Sequence, residues 1–207
     1  MTPRKRLSRE EQKALTRARL IDAARAVFAR RGFHRALLEE IADEAGYTTG
    51  AIYANFDGKE ELFLAVLDEH IAARVRSVDE AVAAASAPEQ RFRAGADNWM
   101  RFLREDPDWY PLFIEFWAYA LRNPELRPRA AERFAAFPLA NARLIEQNAR
   151  ELDVELPEGW AEALGTLVTA MADGLALMKV MSPETVPDEL FGDFLTTLFS
   201  LGVNARG

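Results

Sequence analysis

The 207-residue sequence contains no cysteine, which removes disulfide frameworks, thiolate metal sites, iron–sulfur clusters and cysteine nucleophiles together. Histidine is nearly as scarce. His34 and His70 alone cannot furnish a histidine-rich metal centre, so no metal and no other cofactor is expected. Asn-Gly turn pairs are missing, as are a Gly-rich phosphate loop, a G-x-S-x-G elbow and an H-E-x-x-H pair. Hairpin architectures and the commoner catalytic constellations thereby lose their signatures, and an enzyme is not expected. The longest uncharged apolar stretch, residues 163–172, is well short of the ~20 residues of a membrane span, and the N-terminus lacks an apolar signal core. A soluble, cytoplasmic protein without a membrane partner is expected.

What is present is a chain able to build a core: 49% hydrophobic residues and 29% charged ones, too apolar for disorder. The formal net charge is −7, which by itself argues against a nucleic-acid partner, yet residues 1–35 carry eleven Lys or Arg against three acidic side chains. One end of an acidic molecule is thus basic, and that end is suited to an anionic partner. A salt-bridged, solvated helix face would give the same charge pattern.

Alanine occurs 36 times, and prolines mostly punctuate long segments with 3.6-residue apolar periodicity, an all-α pattern. A first helix is expected over 10–31, with Leu20, Ile21, Ala24, Val27 and Phe28 on one stripe and Gly32 as its stop. Short helices follow over 37–45 and 48–55, separated by Gly46, and a long helix over 59–85 begins after Asp57-Gly58. Beyond Pro88 the prolines divide the chain into helices of roughly 15–27 residues. Helix, glycine turn, helix, glycine turn, helix is the helix-turn-helix spacing, which delivers the N-terminus of its second helix to a DNA major groove.

The residues carrying this spacing are Gly32-Phe33, Ile41-Ala42, Ala45-Gly46, Thr48, Tyr53-Ala54-Asn55-Phe56 and Lys59-Glu60-Glu61-Leu62. Over about 50 residues from Thr16 the pattern closely resembles the TetR (TetR/AcrR) family of transcriptional regulators. The resemblance implies an N-terminal three-helix DNA-binding domain, residues 1–58, with a basic arm at 1–9 and the helix-turn-helix at about 37–56. A long helix then joins it to a C-terminal helical effector-binding and dimerisation domain, 59–207. It also implies a pseudo-palindromic double-stranded operator bound by a homodimer, with contacts from Arg17, Thr48, Thr49, Ala51, Tyr53, Asn55 and Lys59. Thr48 is suited to cap the recognition helix, Thr49 and Ala51 to offer a hydroxyl and a methyl group to base edges, and Tyr53 and Lys59 to hold phosphates.

Two departures stand out. Ala36 and Leu37 occupy the place where the family has a Ser or Thr cap, worth ~1 kcal/mol. No Arg or Lys lies between Thr48 and Phe56, so bidentate guanine readout by the recognition helix is not available. Discrimination then falls to hydroxyl and methyl contacts, DNA shape, or the Arg4-Lys5-Arg6 arm in a minor groove.

The C-terminal half is aromatic. Trp99, Trp109, Phe113, Phe116, Trp117 and Phe137 fall within a short span, and so many large rings suit a mostly apolar ligand pocket as well as a plain core. With them, Met100, Leu103, Met171, Leu175 and Met178 are expected to line a site for an apolar or aromatic effector. Asp97 and Asp173 could meet a cationic effector, if they are not simply exposed or capped. Helices over 158–181 and 188–203 resemble the family's dimerisation bundle. Ala163, Ala170 and Gly174 there would permit close helix approach, and the apolar arc of the last helix is wider than one core needs. Leu164, Leu167, Phe191, Leu195, Leu198 and Phe199 are the expected interface. The reading is a ligand-responsive transcriptional repressor; the alternative is an all-helical ligand-binding or scaffolding dimer without operator binding, with a helical enzyme far behind.

Overall fold

The computed structural model describes residues 8–204, the side chains of 89 and 201–204 excepted, and its regular elements are all helical. In chain order these are α1 Arg9–Arg35, α2 Leu38–Ala45, α3 Thr49–Tyr53, α4 Lys59–Ala83, α5 Pro88–Glu105, α6 Trp109–Leu121, α7 Leu126–Phe134, α8 Ala136–Glu151, α9 Trp160–Met181 and α10 Leu190–Asn204, plus a 3₁₀ turn at Pro183–Thr185. The Arg4-Lys5-Arg6 arm and the side chain of Leu201 lie outside the described residues.

Ser8 starts α1 through a capping box: its Oγ accepts from the Glu11 amide at 3.1 Å, and Glu11 Oε2 accepts from the Ser8 amide at 2.7 Å. The helix breaks where expected. Gly32 has φ +75°, a left-handed conformation that side chains resist, and one further turn, 33–35, follows it. Gly46 likewise closes α2 at φ +71°, while Leu37, at the N-cap of α2, supplies no side-chain cap. The chain beyond Pro88 departs from expectation, because a break at Ala135 separates a nine-residue α7 from α8, where Pro138 in the first turn of α8 has no amide to donate and its ring would clash with the Phe134 carbonyl of a continuous helix.

Rings knit the two ends of the chain into one core. Phe63 stacks on Phe116 at 4.1 Å, and Phe33 meets Phe116 edge-on at 5.2 Å, so α1, α4 and α6 share one aromatic cluster across residue 58. Behind it α9 crosses α8 at Gly165, where a Cβ would stand 2.5 Å from the Pro138 carbonyl. Gly165 is therefore the close-approach residue of this crossing. Ala163, Ala170 and Gly174, expected to permit close helix approach in a dimerisation bundle, lie on the outward face of α9. Helix α9 is also long and apolar enough, by length and composition, to cross a membrane, which the sequence reading did not anticipate.

Candidate DNA interface and effector cavity

The helix-turn-helix sits at one end, held by packing of α1 on α2 and α4. Ile41, Ala42, Ile52 and Phe56 point into the core, which leaves the opposite face of α3 outward. Tyr53 is 63% exposed, Thr48 is exposed, and Thr49, Ala51 and Asn55 are half-buried. Helix α3 is shorter than expected, and Thr48 does not cap it with its hydroxyl. Its backbone carbonyl accepts from the Ala51 amide at 2.9 Å instead, so the hydroxyl is left without an intrahelical task. Asn55 Nδ2 donates back to the Ala51 carbonyl at 2.8 Å, while its Oδ1 is buried without a partner. Arg17, exposed on α1, lays its guanidinium 4.8 Å above the Phe56 ring beside α3.

Lys59 is engaged differently from expectation. Its Nζ donates to the carbonyls of His34 at 3.0 Å and Ala36 at 3.3 Å, and lies 4.9 Å over the Phe33 ring. It thereby terminates the short turn after Gly32, with one of its three N–H donors left over. The same turn receives Glu115 of α6, whose two carboxylate oxygens accept from the amides of Phe33 at 3.1 Å and His34 at 2.8 Å. Gly32 is required there by its φ of +75°, and a Cβ would also lie 2.5 Å from Glu115 Oε2, so the carboxylate would have to shift off the turn. Tyr119, one turn along α6, donates to Glu60 Oε1 in the first turn of α4 at 2.9 Å, and that bond raises the Tyr119 pKa. The sequence reading missed these ties, because they join residues far apart in the chain. It also missed Tyr47, whose hydroxyl oxygen accepts from Thr16 at 3.4 Å beside Arg19 and whose pKa this bond lowers.

The second site is a cavity of about 420 Å³ enclosed by α4, α5, α6, α8, α9 and α10, with Phe134 of α7 on its wall. Trp99, Trp109, Phe113 and Phe137, all expected, line it. Other expected lining residues sit elsewhere. Met100, Leu103 and Phe116 are buried in the core, and Trp117 packs edge-on against Phe113 and Phe134 without reaching the cavity. Met171 and Leu175 pack on the α5–α10 contact, and Met178 is on the outer face of α9. Missed lining residues include His70 and Tyr110, while Asp173, weighed above as a partner for a cationic effector, is on the wall. His70 stacks on Trp109 at 3.6 Å, and burial depresses its pKa to about 3, so it is neutral. Asp97 is exposed and paired with Arg93 at 3.7 Å, which leaves it no part in the cavity. Among the described residues no His/Asp/Glu group gathers to hold a metal.

The expected interface residues divide. Phe191 and Leu195, 3% and 7% exposed, turn inward and form cavity wall; Leu164 and Phe199 are half-buried, Phe199 against Phe92. Leu167 and Leu198 remain outward, joined by Leu177, Met178, Met181, Leu190 and Phe194 on α9 and α10. The physical reason for the correction is the pairing of α10 with α5, which consumes the Phe191–Leu195 side of the arc.

A helix-turn-helix with an exposed recognition face, tied to a helical domain around an aromatic cavity, defines a DNA-binding regulator. The family model for bacterial regulatory proteins of the tetR family matches residues 20–66, and that for the C-terminal part of BetI-type transcriptional repressors matches 88–199. The chain belongs to the TetR family of helix-turn-helix transcriptional regulators. It is 38% identical over 110 residues to the transcriptional activator FasR of Mycolicibacterium smegmatis, a match covering 53% of this chain and 48% of FasR, about half the length of that relative. It is 27% identical over 180 residues to the transcriptional regulator BetI of Vibrio campbellii, 84% of this chain and 85% of BetI. The fold is shared with FadR of Bacillus subtilis, solved in complex with stearoyl-CoA: TM-score 0.69 at 17% identity, covering 87% of this chain and 96% of FadR.

Proposed function

We propose that this regulator is a cytoplasmic homodimer whose two DNA-binding domains, residues 1–58, hold a pseudo-palindromic operator. A mostly apolar small molecule bound within residues 59–207 releases it, which makes it a repressor. One observation carries the reading: α6 forms cavity wall with Trp109, Tyr110 and Phe113, and also holds the Gly32 turn of the DNA-binding end through Glu115. A ligand that moves α6 therefore changes the seat of the helix-turn-helix. Relatives support ligand response in general, as FadR with its stearoyl-CoA illustrates. Thr49, Ala51 and the freed Thr48 hydroxyl read base edges, while Arg17, Tyr53, Asn55 and the spare N–H of Lys59 position the backbone.

To switch occupancy from 99:1 to 1:99, the effector must favour the released arrangement by ~5.5 kcal/mol; tight but equal binding to both does nothing. Selection of genomic DNA fragments on the full-length protein should recover an inverted repeat with half-sites a helical turn or a multiple of it apart, ~34–36 Å per turn. Affinity for it should fall steeply with salt. Recovery of no enriched repeat, or salt-independent binding, would leave the dimeric ligand-binding protein without operator as the better description.

A further inference from the structure

Among the charged groups on the cavity wall, Asp173 stands apart. Arg91 is neutralised by Glu151 at 2.8 Å and also donates to Asn148 at 2.8 Å. Arg74 donates to Asn98 Oδ1 at 3.0 Å and rests 4.1 Å above Phe102 and 5.8 Å over the wall ring of Trp99. Asp79 and Arg143 are exposed, where water screens them, and His70 is neutral. Asp173 is half-buried on the cavity wall, and no described side chain donates to or pairs with its carboxylate. Only its backbone carbonyl is used, as acceptor for the Tyr110 hydroxyl at 2.6 Å.

We propose that Asp173 is the anchor for a cationic head group, and that the effector is an amphiphilic amine whose apolar body lies among Trp99, Trp109, Phe113 and Phe134. This deepens the effector-cavity reading above and rests on it. A carboxylate partly withdrawn from water, with no side-chain partner, is stabilised when a cation arrives. Burial raises the Asp173 pKa to about 6, so the group is still mostly ionised at neutral pH but weakly solvated. The cavity's about 420 Å³ suits a drug-sized occupant rather than a bare small cation. Trp99 Nε1, buried without a partner on the same wall, is a donor for an acceptor atom further along the ligand.

Three probes with one tail separate the alternatives: 4-phenylbutylamine, 4-phenylbutan-1-ol and 5-phenylpentanoate, titrated calorimetrically into the full-length protein. At pH 7.5 the amine should bind at least about tenfold more tightly than the alcohol, and the carboxylate more weakly than either. Asp173→Asn should bring the amine down to the alcohol's affinity without altering the alcohol, whose unchanged binding also reports a folded cavity. At pH 5, where Asp173 is protonated and His70 is still neutral, the amine's advantage should shrink. Equal binding of amine and alcohol, a preference for the carboxylate, or an amine advantage that survives in Asp173→Asn overturns the cation anchor and leaves the effector cavity standing. Binding of none of the three overturns both.

Discussion

Tyr53 and Lys59 differ in what they are free to do for DNA. Tyr53 projects a bare phenol, whereas two of the three Lys59 donors already hold carbonyls of the Gly32 turn. Tyr53→Phe should therefore weaken all DNA sequences alike, by about tenfold, as loss of a hydrogen bond to a charged phosphate implies. Lys59→Ala should do the same and also lower the melting temperature, while Thr49→Ala should alter preference among sites; fluorescence anisotropy on a panel of operator variants distinguishes these. A Lys59→Ala protein with intact stability would show that the Gly32 turn does not depend on it. His70 governs acid sensitivity. Its folded pKa, about 3, lies below the ordinary 6.5, so the unfolded chain takes the proton first and stability is lost as pH falls from 6.5 towards 3. Asp173 works in the opposite direction, its folded pKa of about 6 lying above the ordinary 3.8, so its penalty fades as pH falls from 6 to 4. Urea unfolding at pH 8 and pH 5 should show His70→Phe sparing ~1–2 kcal/mol of the wild-type loss at pH 5, with Asp173→Asn making that loss larger.

At the scale of the element, α6 is the part of the molecule with two duties. Its inner face is cavity wall, and Glu115 and Tyr119 reach the Gly32 turn and the start of α4. The long helix α4 looks from the sequence like the lever between domains, and it does begin at Lys59 beside that turn. The structure adds α6 as a second and more direct connection. Glu115→Gln keeps the side chain's size but replaces one acceptor oxygen with an NH2 donor, so one of the two amide bonds is lost and the other gives up its charge assistance. It should leave effector affinity unchanged and reduce the ratio of operator affinities with and without effector, from a typical coupling of ~1–3 kcal/mol towards zero. Operator titrations at zero and saturating effector measure that ratio directly; full coupling in Glu115→Gln would assign the transmission to α4. Helical spacing puts Glu115 on the side of α6 away from Trp109, Phe113 and Phe116, but nothing local could show that this face meets residues 33 and 34.

For the whole molecule, the telling surface is the outward side of α9 and α10. Leu167 is 57% exposed and Phe194 44%, with Leu177, Met178 and Leu198 completing an apolar face flanked by Ala163, Ala170 and Gly174. Small residues on an open helix face let a second copy approach closely, and a two-fold partner would present the same face in return. Leu167→Glu combined with Phe194→Glu should give a folded monomer by light scattering, with operator affinity down at least about a hundredfold because one half-site alone is held. The pair Leu195→Glu and Phe199→Glu, which the apolar arc of the last helix suggests, should instead damage folding or the cavity, since Leu195 is wall rather than surface. A dimer that survives Leu167→Glu with Phe194→Glu would place the interface elsewhere.

The helix-turn-helix and its family were legible because that function is local: Gly32, Gly46, Ile41, Tyr53 and Lys59 act within 28 residues, through spacing that the chain itself imposes. The all-α class was equally legible, since apolar periodicity and proline placement are properties of neighbours in sequence. The break at Ala135 has only a weak mark, Pro138 three residues on, which fits the start of a helix but does not place the end of α7. Which rings face the cavity was not legible either, because Trp109 and Trp117 look alike in a helical stripe, and only the arrangement of α4, α7, α8 and α9 around them turns one inward and packs the other edge-on behind Phe113 and Phe134. The same holds for the last helix: sequence establishes that its apolar arc is too wide for one neighbour, and tertiary packing against α5 decides which half is left outside. Periodicity fixes the faces a helix possesses; only the partners that the fold supplies determine which face is buried, which lines the cavity and which remains open.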